Sequence, residues 1–203
     1  MTEQQPAARR GPYRQGRLTR ERVLDVAVEA FGRLGYRGAT LQVVAEGAGV
    51  TSAGVVRLFG SKERLLRAVV DRWDLTTGAA LFSAEAHGWA FLQVLPVLVG
   101  SHADDRPMVE LQARLFVESI DPAHPAHEQV AARYERVRQL FADEVLRAAL
   151  DGDIAPRDEA RARTEASTLI AVMDGLQQQW LLDEDVDMAA GVARYLAGLR
   201  AAP

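Results

Sequence analysis

The sequence predicts an all-α fold of about nine helices. Three observations support this prediction. Apolar residues recur at steps of three and four along most of the chain, which is typical of amphipathic helices. Thr, Ser or Asp precedes several of these segments, and Gly follows some of them, as helix caps do. The strict alternation of apolar and polar residues that is typical of strands is scarce.

The chain begins with a polar, basic stretch and then becomes helical. Residues 1–16 are expected to form a flexible basic arm, because they are poor in apolar residues and contain Pro6, Gly11, Pro12 and Gly16. The first helix is expected from Leu18, with Thr19 as its N-cap and Gly35 after its last turn. Its apolar stripe consists of Val23, Val26, Ala27, Ala30, Phe31 and Leu34.

Three further helices are expected in close succession. Thr40 caps a short helix that Gly49 ends, and Thr51 caps another that reaches about Phe59. Ser61 caps a fourth helix, whose inward positions include Leu65, Leu66, Val69 and Trp73. This arrangement predicts a domain over residues 17–62 and a second, longer domain over residues 63–203.

The second domain also has a helical pattern. An apolar stretch over residues 89–99 is interrupted by Pro96, and Pro107 can open the next helix. The segment DPAHPAH, residues 121–127, is expected to be a turn. Three long helices are expected at about residues 128–150, 158–182 and 186–199.

Charge is distributed unevenly between the two parts of the chain. Residues 1–72 contain 13 Arg and Lys against 7 Asp and Glu, whereas residues 73–203 contain 11 against 21. A basic first third indicates a module that binds a polyanion. The chain has no cysteine and no apolar run long enough for a membrane span, so we expect a cytoplasmic protein without disulfides or thiolate chemistry.

The two short helices have the spacing of a helix-turn-helix. Gly49 and Val50 make the turn, and the helix from Thr51 would enter the DNA major groove. Val55, Leu58 and Phe59 are expected to hold this helix on its neighbours. The positions left free to reach DNA are Thr51, Ser52, Ala53, Gly54, Val56 and Arg57.

The residues from Arg17 to Leu66 resemble the DNA-binding domain of the TetR family of transcriptional repressors. The resemblance rests on Ala30-Phe31, Gly35-Tyr36, Thr40, Val44-Ala45, Ala48-Gly49-Val50, Phe59-Gly60-Ser61-Lys62 and Leu65. It covers about fifty residues without a gap. The rest of the chain matches the family only in length, helical pattern and the segment VMDGLQQQW.

The resemblance implies roles for several residues. Thr40 and Lys62 would contact the DNA backbone, and Thr51, Ser52, Ala53, Val56 and Arg57 lie on the recognition helix. Arg57 and the basic N-terminal arginines Arg14 and Arg17 could compensate for a family contact that this chain lacks, and the alternative is a modest operator affinity. Val56 stands where the family usually has a tyrosine, and Leu58 where it often has an aromatic residue or histidine. The tyrosine's hydroxyl contact with phosphate is therefore absent. Ala53, Gly54 and Val56 could instead approach thymine methyl groups.

A recognition helix reads few base pairs, so a homodimer on a palindromic operator is expected, with recognition helices about 34–36 Å apart. The resemblance places the dimer interface on the last two helices. Its expected residues are Leu169, Val172, Leu176, Trp180, Leu181, Val192, Tyr195, Leu196 and Leu199. The alternative is that these side chains pack within one subunit.

The second domain is also expected to bind a small, largely apolar effector. The candidates for its pocket are Trp89, Phe91, His102, Met108, Gln112, Phe116, Tyr134, Met173 and Gln177. The alternative, which the sequence favours for each of them, is that it is ordinary core or surface, because aromatic and Met residues at helical spacing usually pack. Gln112 and Gln177 are the most informative, because an amide on a partly apolar helix requires a partner when it is buried.

The sequence contains no pattern that indicates an enzyme, a cofactor site or a metal site. His124 and His127 have a His-x-x-His spacing, but they lie in the proline-containing turn, so we expect them to face solvent. The expected function is that of a ligand-responsive transcriptional regulator that binds double-stranded operator DNA. The alternative is a helical DNA-architectural or small-molecule-binding protein without operator-specific repression.

Overall fold

A computed structural model describes residues 12–82 and 86–201, which form ten α-helices and one 3-10 turn and contain no strand. The helices are α1 (Pro12–Gly38), α2 (Leu41–Gly47), α3 (Ser52–Phe59), α4 (Lys62–Phe82), α5 (Gly88–Leu92), α6 (Leu95–Ser101), α7 (Arg106–Glu118), α8 (His127–Leu150), α9 (Glu159–Leu182) and α10 (Met188–Ala201). The prediction of an all-α fold is confirmed. Helices α5 and α6 are the two parts of the interrupted segment at residues 89–99.

Helix α1 begins earlier than the sequence pattern indicated. It starts at Pro12, and the Thr19 hydroxyl donates a hydrogen bond to the Gln15 carbonyl at 3.0 Å, as a residue inside a helix does. Thr19 is therefore not an N-cap, and residues 12–16 belong to the helix rather than to an arm. Proline is tolerated in the first turn, where its missing N–H has no helical partner to lose. Residues 1–11 of the expected arm lie outside the described residues.

The caps expected for α2, α3 and α4 are all present. The hydroxyl of Thr40 accepts a hydrogen bond from the Val43 N–H at 3.2 Å, and that of Thr51 accepts one from the Gly54 N–H at 3.0 Å. The Ser61 hydroxyl accepts from the Arg64 N–H at 3.2 Å. Each cap satisfies one N–H that the first turn of a helix leaves unpaired, so these helices begin where the sequence indicated.

The four N-terminal helices share a core that extends into the second domain. Buried side chains of α1, α2, α3 and α4 form one cluster with Leu111 and Leu115 of α7 and Val130 of α8. α1 packs more extensively on α7 than on any other helix. The helix-turn-helix unit is therefore seated on the second domain rather than joined to it only by a linker.

A second core lies among α5, α6, α8, α9 and α10. It corrects part of the expected dimer interface. Leu169 and Val192 are fully buried within one chain, and Trp180, Leu196 and Leu199 are nearly so. These side chains complete the intramolecular core, whereas Val172, Leu176, Leu181 and Tyr195 keep part of their surface exposed. None of the helices in residues 12–82 and 86–201 is both long and apolar enough to cross a membrane.

Candidate nucleic-acid interface and ligand cavity

Helices α2 and α3 meet at a tight turn that glycine makes possible. Gly49 has φ of +63°, in the left-handed region that favours glycine. The Val50 N–H then donates to the Ala45 carbonyl at 2.9 Å and closes the end of α2. Val55 is fully buried and Phe59 is 8% exposed, so both anchor α3 against the core as expected. The turn and these anchors fix which face of α3 points outward.

The outward face of α3 is small and carries one cation. Thr51, Ser52 and Ala53 are exposed, as is Arg57, and Val56 keeps 43% of its surface exposed. Arg57 is the only basic residue of α3, and it forms no ion pair with the described part of the chain. Its guanidinium is therefore available to a ligand outside the protein.

Thr40 and Lys62 differ in how free they are to meet a phosphate. Thr40 is exposed, and because its hydroxyl oxygen accepts the capping bond, its O–H remains available as a donor. The Lys62 ammonium lies 4.4 Å above the Tyr36 ring and donates to the Arg37 carbonyl at 3.4 Å. Burial lowers the pKa of Lys62. Arg17 is exposed on α1, whereas the Arg14 side chain lies outside the part that the structure describes.

The end of α1 forms a polar joint with α4 and α7. The backbone N–H of Tyr36 donates to Glu118 Oε2 at 2.9 Å, and the Tyr36 hydroxyl donates to Glu63 Oε1 at 2.7 Å. Burial and the neighbouring Glu63 raise the pKa of Tyr36 to about 12. The Arg114 guanidinium donates to the Gly32 carbonyl at 2.7 Å. No sequence pattern indicated this joint, because its partners are far apart along the chain.

His124 belongs to this joint and does not face solvent, which corrects the expectation from sequence. Its side chain is 9% exposed, and its ring meets the Tyr36 ring edge-on at 5.2 Å between centroids. Nε2 lies 3.7 Å from Glu118 Oε2. Burial lowers the pKa of His124. The turn that contains it folds back onto the end of α1, and His127 Nδ1 lies 2.8 Å from the Ser119 carbonyl.

A cavity of about 70 Å³ lies in the second domain. Five of the expected pocket residues line it: His102, Gln112, Tyr134, Met173 and Gln177. The sequence reasoning missed the other lining residues, which are Trp73, Leu98, Arg133, Val137, Phe141, Ile170 and Asp174. Asp174 could have been found from its spacing, because it is adjacent to Met173 and three positions before Gln177 on the same helix.

Four of the candidate residues are placed elsewhere. Trp89 and Phe91 are buried in the second core, where the Arg200 guanidinium lies 5.4 Å from the Trp89 ring centroid. Met108 packs against the first core. Phe116 is 38% exposed and touches the outer side of Tyr134, with 5.2 Å between ring centroids. Helix α7, which carries Met108 and Phe116, reaches the cavity through Gln112, whereas α5 contributes no lining residue.

The polar groups of the cavity differ in how fully they are paired. Gln177 Nε2 lies 2.8 Å from His102 Nδ1, and the Tyr134 hydroxyl donates to Asp174 Oδ2 at 2.9 Å. Arg133 forms an ion pair with Asp74 of α4, and its guanidinium carbon lies 3.7 Å from the Trp73 ring centroid. The Gln112 side-chain amide forms no hydrogen bond with the described residues. Trp73 of α4 thus forms part of the cavity wall.

Comparison with known proteins agrees with this arrangement. The family model for bacterial regulatory proteins of the tetR family matches residues 23–69. The HTH-type transcriptional regulatory protein RaaS of Mycobacterium tuberculosis is 40% identical over 72 residues, a match that spans only 34% of this chain and 34% of that protein. The HTH-type transcriptional regulator BetI of Burkholderia mallei is 27% identical over 169 residues, which are 81% of this chain and 80% of that protein.

Solved structures share the fold over almost the whole chain. A TetR-family transcriptional regulator from Agrobacterium tumefaciens superposes with a TM-score of 0.80 at 18% identity, covering 92% of this chain and 100% of that one. The regulator FadR from Bacillus subtilis, in complex with stearoyl-CoA, has a TM-score of 0.71 at 16% identity, covering 89% and 97%.

Proposed function

Because the chain belongs to the TetR family of transcriptional regulators, we propose that it is a ligand-responsive repressor. In this proposal a homodimer binds a palindromic operator, and a small, largely apolar effector releases it. The observation that carries the proposal is the outward face of α3. Its anchors are buried, its small residues are exposed, and Arg57 has no partner ion within the described chain.

In the proposed mechanism, a ligand bound in the cavity changes the position of α4. Trp73 of α4 lines the cavity, and the next residue, Asp74, is ion-paired with Arg133 on the cavity wall. α4 also begins directly after α3, at Lys62. A ligand that binds better to one position of α4 than to another would therefore change the position of α3 relative to the partner subunit.

The proposed dimer uses the outward faces of α9 and α10. The buried apolar residues of these helices are excluded from that role, but Val172, Leu176, Leu181 and Tyr195 are partly exposed. Several exposed positions on these helices are small, which favours close approach of a second helix pair. They are Thr168, Ala171, Ala193, Ala197 and Gly198. Pairing two subunits in this way would place two recognition helices on one operator.

Footprinting on the DNA next to the protein's own gene tests the proposal. The purified protein should protect a palindromic segment, and unrelated DNA of the same length should compete poorly. The experiment should include low salt, where phosphate contacts are strongest. Absence of protection at low salt overturns the proposal, and equal binding of all DNA favours an architectural protein without operator specificity.

Arg57→Ala tests the assigned face directly. This change should weaken operator binding by about 1–3 kcal/mol, which is roughly 5- to 150-fold, because it removes the one cation of α3. The control is Arg147→Ala, which removes the same charge from α8 in the second domain and should leave operator binding unchanged. Equal affinity of the Arg57→Ala variant and the wild type in a gel-shift titration would show that α3 does not face DNA as assigned.

A further inference from the structure

Two charged side chains, Arg133 and Asp174, line the cavity, and only Arg133 is paired with a group of opposite charge. Arg133 is ion-paired with Asp74 and covers the face of Trp73. Asp174 has no cation bonded to it, and its partner among the described residues is the Tyr134 hydroxyl at 2.9 Å. A hydroxyl donates one hydrogen bond, whereas a carboxylate can accept several. Asp174 therefore has acceptor capacity left on the side of the cavity.

Burial makes an unmatched carboxylate costly. It raises the pKa of Asp174, while the Tyr134 hydrogen bond and the Arg133 charge oppose that rise. A cation that enters the cavity would offset this cost. The charged and titratable groups around Asp174 are Arg133 and Tyr134 of α8 and His102 after α6, with Asp74 of α4 behind Arg133. Burial and the nearby Arg133 charge lower the pKa of His102, which disfavours a positive charge on that ring.

The remaining walls suit an apolar body of small size. Phe141, Ile170, Met173 and Leu98 supply apolar surface, and the Gln112 amide offers one more unused polar contact. At about 10–15 Å³ for each water-sized group, the volume of about 70 Å³ holds about five to seven non-hydrogen atoms. An anionic ligand would have to displace Asp74 from Arg133 and would meet the Asp174 carboxylate.

We propose that the effector cavity takes a small primary amine, whose ammonium group is held by Asp174 while its hydrocarbon part lies against Phe141, Ile170 and Met173. This inference rests on the proposed function, because it names the chemical class of the effector for the same cavity. Charge-assisted hydrogen bonds are about twice as strong as neutral ones, so the charge should decide among molecules of equal shape.

Three probes of nearly equal size test the inference: butylamine, butan-1-ol and butyrate. Binding is followed by NMR titration of the Trp73 indole signal, identified with a Trp73→Phe variant, at up to about 50 mM probe because such small ligands bind weakly. Butylamine should bind about tenfold more tightly than butan-1-ol, and butyrate more weakly than both. Equal or tighter binding of butan-1-ol or butyrate, or no binding of butylamine, overturns the inference.

Two variants locate the ammonium group. Asp174→Asn keeps the shape of the side chain and should bring butylamine down to the affinity of butan-1-ol. Tyr134→Phe keeps the carboxylate and frees it from its hydrogen bond, so butylamine should bind at least as tightly as to the wild type. Thermal unfolding of each variant separates loss of binding from loss of folding. An undiminished preference for butylamine in folded Asp174→Asn would contradict the role of Asp174.

A gel shift with the same probes separates a failure of the amine inference from a failure of the proposed function. If the protein binds its operator and butan-1-ol releases it while butylamine does not, the amine inference fails and the proposed function stands. If the protein binds no specific DNA, the proposed function fails, and the NMR titrations still decide which chemical class the cavity prefers.

Discussion

Val56 is exposed on α3, at the position where the resemblance to the TetR family implies a tyrosine. Its side chain offers methyl groups and no hydrogen-bond donor. A larger side chain can therefore be placed on the outward face of α3 at this position without disturbing the core.

Replacing Val56 by tyrosine should strengthen operator binding, because a hydroxyl gains the chance to donate to a phosphate oxygen. Val56→Phe is the matched control, since it adds the ring without the hydroxyl. The tyrosine variant should bind about 2- to 12-fold more tightly than the phenylalanine variant, which corresponds to about 0.5–1.5 kcal/mol for one hydrogen bond. Equal affinity of the two variants in a gel-shift titration would show that this position does not reach the DNA backbone.

Two buried histidines make the free energy of unfolding depend on pH. Burial lowers the pKa of both His102 and His124. As the pH falls, the unfolded chain takes up these protons before the folded chain does. The contribution of each neutral histidine to the free energy of unfolding is therefore complete above the ordinary pKa of about 6.5. It declines as the pH falls below that value toward the folded-state pKa.

His124→Asn should flatten this decline, because the replaced side chain does not titrate. Below pH 6.5 the free energy of unfolding of the variant should fall less steeply, by at most about 1.4 kcal/mol per pH unit for the one proton removed. Urea unfolding at a series of pH values measures the slope. The control is His87→Asn, which replaces a histidine with a mostly exposed side chain. If the free energy of unfolding had the same pH slope in the wild type and in His124→Asn, His124 would not contribute to the pH dependence.

At the scale of the element, two of the four glycines of α1, Gly16 and Gly32, lie in different surroundings. A Cβ at Gly16 would meet nothing within 4 Å, whereas a Cβ at Gly32 would lie 3.1 Å from the Leu111 backbone nitrogen and 3.2 Å from the Pro107 carbonyl oxygen. Both neighbours of Gly32 are backbone atoms of α7, which cannot move like a side chain. The absence of a side chain at Gly32 is what lets α1 and α7 lie so close.

Alanine at these two positions should therefore have opposite effects. Gly16→Ala should raise the free energy of unfolding by about 0.5–1 kcal/mol, because alanine is the better helix former. Gly32→Ala should lower it by about 1–3 kcal/mol, the usual cost of overpacking. Denaturant unfolding of the two variants measures both effects. A stabilised Gly32→Ala variant would mean that α1 and α7 do not pack as closely as described.

For the whole molecule, the sequence predicted those features that depend on neighbouring residues. The caps at Thr40, Thr51 and Ser61 and the turn at Gly49 are set locally, and the structure contains them. The start of α1 was missed because the cap-like Thr19 was read without its context. Helical periodicity overrides a single capping residue when the preceding segment can also be helical.

The ligand cavity and the helix faces were predicted only in part, because both depend on how the helices are rotated against each other. Periodicity marks an apolar stripe but does not say what covers it. The stripes of α9 and α10, which contain Leu169 and Val192, fit an intramolecular core as well as a dimer interface, and the structure buries both residues within one chain. Trp73 was missed for the same reason, since it lies on α4, far in sequence from the other helices that line the cavity.

The proposed dimer interface on the outward faces of α9 and α10 can be tested by placing a charge on it. Ala197 is exposed on α10, so Ala197→Glu should leave folding intact while placing a charge where a partner helix would pack. The wild type should sediment at twice the chain mass of 22.2 kDa and the variant as a monomer. Operator affinity should then fall on the order of 100-fold, because one subunit no longer brings the second to the DNA. Ala131→Glu, which places the same charge on an exposed position of α8, should leave both properties unchanged. If the Ala197→Glu variant remained a dimer in analytical ultracentrifugation, the interface would not include this face of α10.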